Sequence, residues 1–395
     1  MARLSDWLNE RRASGALREL RPVDRLSDGR IRLSNLPGSP PLLDFSSNDY
    51  LALSAHPALI ESGRRALAEF GTGSGAARLM SGDLVIHHQL EAAVASLKGK
   101  EAALLFGSGF MANAGVIPAL VGRGDALFID RLDHASIYDG CRLSGATLHR
   151  FRHNDLAHLE ELLQKNPATG QTLVVVESIY SMDGDRCPLA ELVALRKRYG
   201  FLLMVDEAHA TGLFGPNGGG VVEADGVGEE VDLVMGTFGK ALGSYGAYIA
   251  CSQEMVDYLV NRARSFIYST ALPPAVVAAS LAAVELVRQS SELRDDFWQR
   301  VETFKKLLRD GGLTVDLGPT QIIPITVGAS TRALQMAEAL RARGIFATAV
   351  RPPTVPENTA RLRFSVTRHL DVPQLQEGAE ALLAVVKEFA PELLA

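Results

Sequence analysis

From residue 102 onward the chain alternates two patterns. Short continuous apolar runs at 102–106, 126–129, 172–176, 202–205, 231–235 and 246–250 are separated by stretches with helical spacing of apolar positions. A run that is apolar without alternation suits a strand buried on both faces. These runs therefore predict a mostly parallel sheet covered by helices, and residues 46–286 read as one large α/β domain. After Pro273-Pro274 the pattern changes. A long helical stretch runs through Glu285 to Arg309, and strand-like segments follow at 322–327, 346–350 and 362–366, which predicts a small α+β domain over 287–395. Residues 1–45 read as an arm: an amphipathic helix, then a polar stretch rich in proline around Pro37, Pro40 and Pro41.

Composition narrows the class. The 395 residues are 47% hydrophobic and 22% charged, as expected of a globular chain of about two or three domains. A net charge of −6 leaves no basic excess to neutralise phosphates, so a nucleic-acid partner is not expected. Cys141, Cys187 and Cys251 form no CxxC and cannot all pair, which points to a reducing compartment. The N-terminus lacks the apolar core of a signal peptide, and Asp6, Glu10 and Glu19 count against a transit peptide. The apolar run 275–284 is too short to span a bilayer, so no membrane partner is expected and a cytoplasmic location is.

Three buried runs end in an acid: Asp130, Glu177 and Asp206. In open α/β sheets ligands bind at the carboxyl ends of strands. For Asp130 and Glu177 a helix-capping role is the leading expectation. Asp206 differs, because His209 follows within a turn and Lys240 follows a further strand. Gly236, Gly239 and Gly243 surround Lys240, leaving room for a flat ring, and Thr237 supplies a hydroxyl three residues earlier. A lysine of this kind forms Schiff bases, and an acid facing a pyridinium nitrogen is its recurring companion in pyridoxal phosphate chemistry.

Other motifs are less decisive. Gly107-Ser108-Gly109-Phe110-Met111-Ala112 follows a strand, opens a helix and fits GxGxxA, with Asp130 downstream. That supports a rival reading as an NAD-dependent dehydrogenase, although free amides at a helix start bind any phosphate. The similar stretch 71–76 follows a helical segment and lacks that context. His134 lies just past a strand end, where it is either structural or stacked on a flat cofactor. His149, His153 and His158 have helix-like spacing but sit in or beside an expected strand, so no metal site is expected there, and His87-His88 read as surface residues. In 361–366, Leu362, Phe364 and Val366 share one face and Arg361, Arg363 and Ser365 the other. That polar face is either solvated or a guanidinium fork for a carboxylate.

The residues together resemble the α-oxoamine synthases, pyridoxal-phosphate enzymes of fold type I, along the whole chain. The motifs that carry the likeness are Phe45-Ser46-Ser47-Asn48-Asp49-Tyr50-Leu51, Tyr180-Ser181-Met182-Asp183-Gly184-Asp185, the lysine loop, and Ala349-Val350-Arg351-Pro352-Pro353-Thr354-Val355-Pro356. The last is similar to the form found in the biotin-pathway branch. The resemblance implies a decarboxylative condensation of L-alanine with a pimeloyl thioester, carried on CoA or a carrier protein. A sister reaction using glycine or serine is the alternative. The resemblance assigns Lys240 to hold pyridoxal 5'-phosphate, Asp206 to its pyridine nitrogen, His209 and Ser181 to its phenolic side, and His134 to its face and to the attacked carbonyl. Thr237 and the backbone of Gly109 and Phe110 would take the phosphate. Arg18, Asn48, Arg351, Thr354 and Arg363 would contact substrates. Tyr268-Ser269-Thr270 would reach a neighbouring subunit's cofactor, which implies a homodimer with shared active sites. Residues 75–82 and 206–210 depart from the usual form of the Gram-negative biotin enzymes, a difference that bears on the acyl donor.

Overall fold

A computed structural model describes residues 2–13, 17–26, 28–34, 38 and 40–395. Pro37 of the proline-rich stretch lies outside the described residues. The chain divides into two compact units, one of residues 49–181 and 185–295, the other of 1–48, 182–184 and 296–395.

The larger unit is built on a seven-stranded sheet in the order Ala102–Phe106, Ala247–Cys251, Leu233–Thr237, Leu202–Asp206, Thr172–Glu177, Ala126–Asp130, Thr147–Phe151. Only Ala247–Cys251 runs antiparallel to both its neighbours, so the other six strands share one direction. Every residue of Ala126–Asp130 is buried, as is every residue of Ala102–Phe106. That explains the unbroken apolar runs, since helices cover both faces. One face packs Leu127, Ile129, Val175, Met204 and Met235 against Val116 and Ile117 of the helix Gly109–Leu120. Burying each such aliphatic side chain contributes about 1.5–3 kcal/mol. Shared strand direction has a functional consequence. Phe106, Asp130, Glu177, Asp206 and Thr237 all arrive at the same edge of the sheet.

The smaller unit holds a sheet in the order Val23–Arg25, Arg30–Leu33, Leu42–Asp44, Ile345–Phe346, and a three-stranded sheet in the order Ile322–Gly328, Ala360–Ser365, Thr348–Val350. Its centre is aromatic: the rings of Phe45 and Phe304 stack at 5.1 Å, and Phe364 meets Phe45 edge-on at 5.5 Å. Gly378 of the helix Val372–Phe389 is needed beside them, because a Cβ there would lie 2.3 Å from the Phe45 ring.

One open alternative is decided here and one expectation fails. Arg361, Arg363 and Ser365 are not on a solvated face, since all six residues of Ala360–Ser365 are buried. The helix Ala2–Ala13 buries no apolar stripe, with Leu4 and Trp7 exposed.

Candidate active site

The loop that carries Lys240 is wound tightly. The Thr237 hydroxyl donates to the Gly246 carbonyl at 2.8 Å and accepts from the Gly239 amide at 3.1 Å, while Gly243 N donates to Lys240 O at 2.9 Å. Gly243 has φ +63°, and a Cβ there would meet Ser54 N at 2.4 Å. The turn thus needs glycine both for its conformation and for its close approach. Held in this way, Lys240 Nζ lies 2.8 Å from His209 Nε2, and His209 Nδ1 lies 2.8 Å from the Tyr50 hydroxyl. His209 and Tyr50 are buried.

His209 is placed by the segment that leaves the strand Leu202–Asp206. Glu207 N donates to Met235 O at 2.8 Å, and the Glu207 carboxylate receives Lys98 Nζ at 2.7 Å and Val222 N at 2.8 Å. Lys98 also donates to Thr211 Oγ1 at 2.8 Å, so a buried ion pair fastens both ends of the turn 207–211.

Asp206 is buried. Its Oδ1 accepts Ala208 N at 2.9 Å, and its Oδ2 accepts Asn113 Nδ2 at 3.1 Å. Asn113 Nδ2 also reaches Ser136 Oγ at 2.9 Å, and that oxygen lies 2.8 Å from His134 Nδ1. His134 caps the helix Ala135–Ser144, and its backbone N–H donates to Glu177 Oε1 at 2.6 Å. Burial pulls the His134 pKa down, and the Lys240 charge adds to this while Asp206 opposes it. Glu177 is the Cα partner of Asp206 on the adjacent strand. Burial, then the Asp206 charge, push its carboxyl up to about 8.

Several expectations are corrected at this edge. Neither Asp130 nor Glu177 caps a helix. Asp130 accepts from Leu132 N at 2.8 Å and Asn154 N at 2.7 Å, and sits 3.0 Å from His153 Nδ1. His153 Nε2 is 2.7 Å from Asp185 Oδ2, so the imidazole lies between two carboxylates. His87 is fully buried, with Nε2 3.0 Å from the Leu272 carbonyl, whereas His88 is exposed. Among the described residues no group of three or more His, Cys, Asp or Glu side chains could hold a metal ion.

The remaining candidates fall as follows. Ser181 lies in the turn after the bridge residue Ile179, and exposed Thr270 forms a bridge with Ala77. In the smaller unit, Arg18 Nη2 donates to Thr354 Oγ1 at 2.9 Å, and both terminal nitrogens of Arg363 lie 3.3 Å from Asn48 Oδ1. Arg361 pairs with Asp183, so Arg363 alone of the two faces Asn48. Arg351 is half-buried. The sequence reading gave no role to Tyr50, Asn113 or Ser136. Asn113 had a signal, being the lone polar side chain of an otherwise apolar helix.

The donor set fits pyridoxal 5'-phosphate. Ser108 satisfies the amides of Met111, through Oγ, and of Ala112, through its carbonyl. Gly109 and Phe110 N–H groups, in the first turn of a twelve-residue helix, have no intrahelical acceptor and suit a phosphate. A buried carboxylate suits a protonated ring nitrogen, and an amine beside an imidazole suits the aldehyde.

A family model described as aminotransferase class I and II matches residues 40–382. The chain belongs to that family. It is 46% identical to a protein of Citrifermentans bemidjiense named 8-amino-7-oxononanoate synthase, over 98% of this chain and 99% of that one. A serine palmitoyltransferase variant from S. paucimobilis, solved with PLP bound, is 30% identical with a TM-score of 0.92 over 98% of each chain. An 8-amino-7-oxononanoate synthase from Francisella tularensis is 28% identical, with a TM-score of 0.75 over 88% of this chain and 98% of that one. This family member is a fold type I pyridoxal-phosphate enzyme, with a mixed sheet of the expected kind. The dinucleotide reading of residues 107–112 is therefore set aside. Among the described residues no helix is long and apolar enough to cross a membrane.

Proposed function

We propose that this enzyme condenses L-alanine with a pimeloyl thioester to give 8-amino-7-oxononanoate, free thiol and carbon dioxide, in biotin biosynthesis. The observation that carries the reading is the Lys240–His209 contact at 2.8 Å, one strand from the buried Asp206 carboxylate. The names of full-length relatives at 46–48% identity support the choice of substrates.

Bound pyridoxal phosphate supplies an electron-accepting ring that stabilises negative charge at the alanine Cα. Asp206 would pair with the ring nitrogen and keep it protonated, and Asn113 and the Ala208 amide orient the Asp206 carboxylate. Lys240 takes the Cα proton as general base. The alanine carbon then attacks the thioester carbonyl, the C–S bond breaks and the thiolate leaves. Loss of the alanine carboxylate as carbon dioxide and reprotonation at the same carbon complete the reaction. His134 would face the ring and donate from Nε2 to the attacked carbonyl, its Nδ1 being taken up by Ser136. The Gly109 and Phe110 amides would hold the phosphate, joined by Thr237 once its hydroxyl proton turns from the Gly246 carbonyl, and Ser181 would lie on the phenolic side. Arg363 and Asn48 take the amino-acid carboxylate, and Arg18, Arg351 and Thr354 the acyl substrate. Tyr268 and Thr270 serve a partner's site in a homodimer in the cytoplasm.

Purified enzyme mixed with L-alanine and pimeloyl-CoA tests this directly, with product read by mass spectrometry. The wild type shows a visible cofactor band that Lys240→Ala loses; a colourless wild type overturns the reading. Spectral shifts with glycine or serine but not alanine would replace alanine as substrate.

A further inference from the structure

We propose that Arg21 and Arg341, together with Arg18 and Arg351, bind the terminal carboxylate of the acyl chain and select thioesters of dicarboxylic acids over fatty acyl thioesters. The inference rests on the acyl-transfer reading above and adds the specificity-determining residues. The smaller unit contains a groove of about 880 Å³ formed between the segment 17–21, the helix Ser330–Ala342 and the strand Thr348–Val350. Arg12, Arg18, Arg21, Arg341 and Arg351 line it, against only Glu19 and Glu338. This is a local excess of three positive charges on a chain whose net charge is −6.

The guanidinium groups are close enough to oppose one another's charge. Burial, and then Arg18 and Arg21, pull the Arg351 pKa down; burial and Arg21 do the same to Arg341, against the opposing effect of Glu338, with which its Nη1 is paired. The Arg341 Nε–H is buried and has no acceptor among the described residues. Like charges gathered around an unfilled donor are stabilised by an anion, and a carboxylate meets a guanidinium through two parallel bonds. Arg18 is already positioned, by its 2.9 Å bond to Thr354. Leu334, Phe346 and Val350 line the same groove and give methylene groups an apolar wall. A phosphate site would not need that wall, whereas a dicarboxylic acyl chain needs both the wall and the cluster.

The test measures kcat/KM of the PLP-loaded enzyme with L-alanine and either pimeloyl-CoA or heptanoyl-CoA, which differ only in the terminal group. Wild type is expected to favour pimeloyl-CoA by about 100-fold, and Arg341→Met to reduce that ratio about 10-fold or more. Arg21→Met, on an exposed segment, is expected to reduce it similarly without threatening the fold. If both variants lose activity equally with the two thioesters, the cluster binds CoA phosphate and the proposal fails. A wild-type ratio near one also overturns it. Turnover of neither thioester would instead overturn the acyl-transfer reading itself.

Discussion

The Lys240 amine and the Nε2 atom of His209 stand 2.8 Å apart, and the far nitrogen of that ring is held 2.8 Å from the Tyr50 hydroxyl. An ammonium can donate to Nε2 only while that nitrogen carries no proton, and the ring then donates from Nδ1 to Tyr50. A neutral amine can accept from Nε2 while Tyr50 donates to Nδ1. The phenol therefore decides how readily the imidazole follows the lysine's change of charge. Tyr50→Phe removes the phenol hydroxyl from Nδ1. It is expected to lower kcat about tenfold and to slow the appearance of the visible band when PLP is added to apoenzyme. His209→Ala is expected to cost about a hundredfold. A Tyr50→Phe enzyme equal to wild type in both measurements would remove the phenol from this role.

Glu177 and Asp206 are Cα partners on neighbouring parallel strands, so the sheet itself brings two carboxyls together. Burial and Asp206 raise the Glu177 pKa from 4.5 to about 8. The folded state thus binds this proton more tightly than the unfolded chain does. The group's contribution to stability is complete below pH 4.5 and is lost as pH rises to about 8. Glu177→Gln keeps an oxygen for the His134 amide and removes the titration. Unfolding of the apoenzymes should show the variant gaining on wild type by about 2–4 kcal/mol between pH 5 and pH 9. A constant difference across that range would show that Glu177 does not titrate in the folded state.

The strands and the lysine–acid–histidine set were legible because each rests on local pattern. A strand buried on both faces must be apolar throughout, and Asp206, His209 and Lys240 are carried by two such strand ends. What was not legible depends on distant partners. His87 is buried with its Nε2 on a carbonyl 185 residues away, at Leu272, a partner that its neighbours in sequence do not announce. Alternation in 361–366 separated two faces correctly, but Asp183 and Asn48 convert the polar one into a buried face. The pairing of Glu177 with Asp206 needed strand register, which neither residue's neighbours encode.

Lys98 and Glu207 form an ion pair with side-chain exposures of 1% and 0%. Removing one partner strands a buried charge, which costs about 3–5 kcal/mol. Lys98→Met is accordingly expected to destabilise the protein by that amount and to weaken PLP retention, since Glu207 fastens the turn bearing His209. Glu207→Gln added to Lys98→Met removes the stranded charge and should recover at least about 1 kcal/mol. Denaturant unfolding of the two single variants and the double variant measures the coupling. Strictly additive losses would mean that the pair contributes no interaction energy.

His153 lies between Asp130 and Asp185, at 3.0 and 2.7 Å, with the Tyr180 ring edge-on at 4.5 Å. Burial alone would pull its pKa down, but the bonds to the two carboxylates push it up to about 10. The folded value lies above the ordinary 6.5, so the stabilisation is complete below pH 6.5 and is lost as pH rises through about 10. His153→Gln can still bridge the two acids but carries no charge, leaving Asp130 and Asp185 to repel each other. It is expected to be about 2–4 kcal/mol less stable than wild type at pH 6 and to approach wild type at pH 10.5. Thermal unfolding at the two pH values decides the matter. A gap that persists undiminished at pH 10.5 would assign His153 a packing role in place of an electrostatic one.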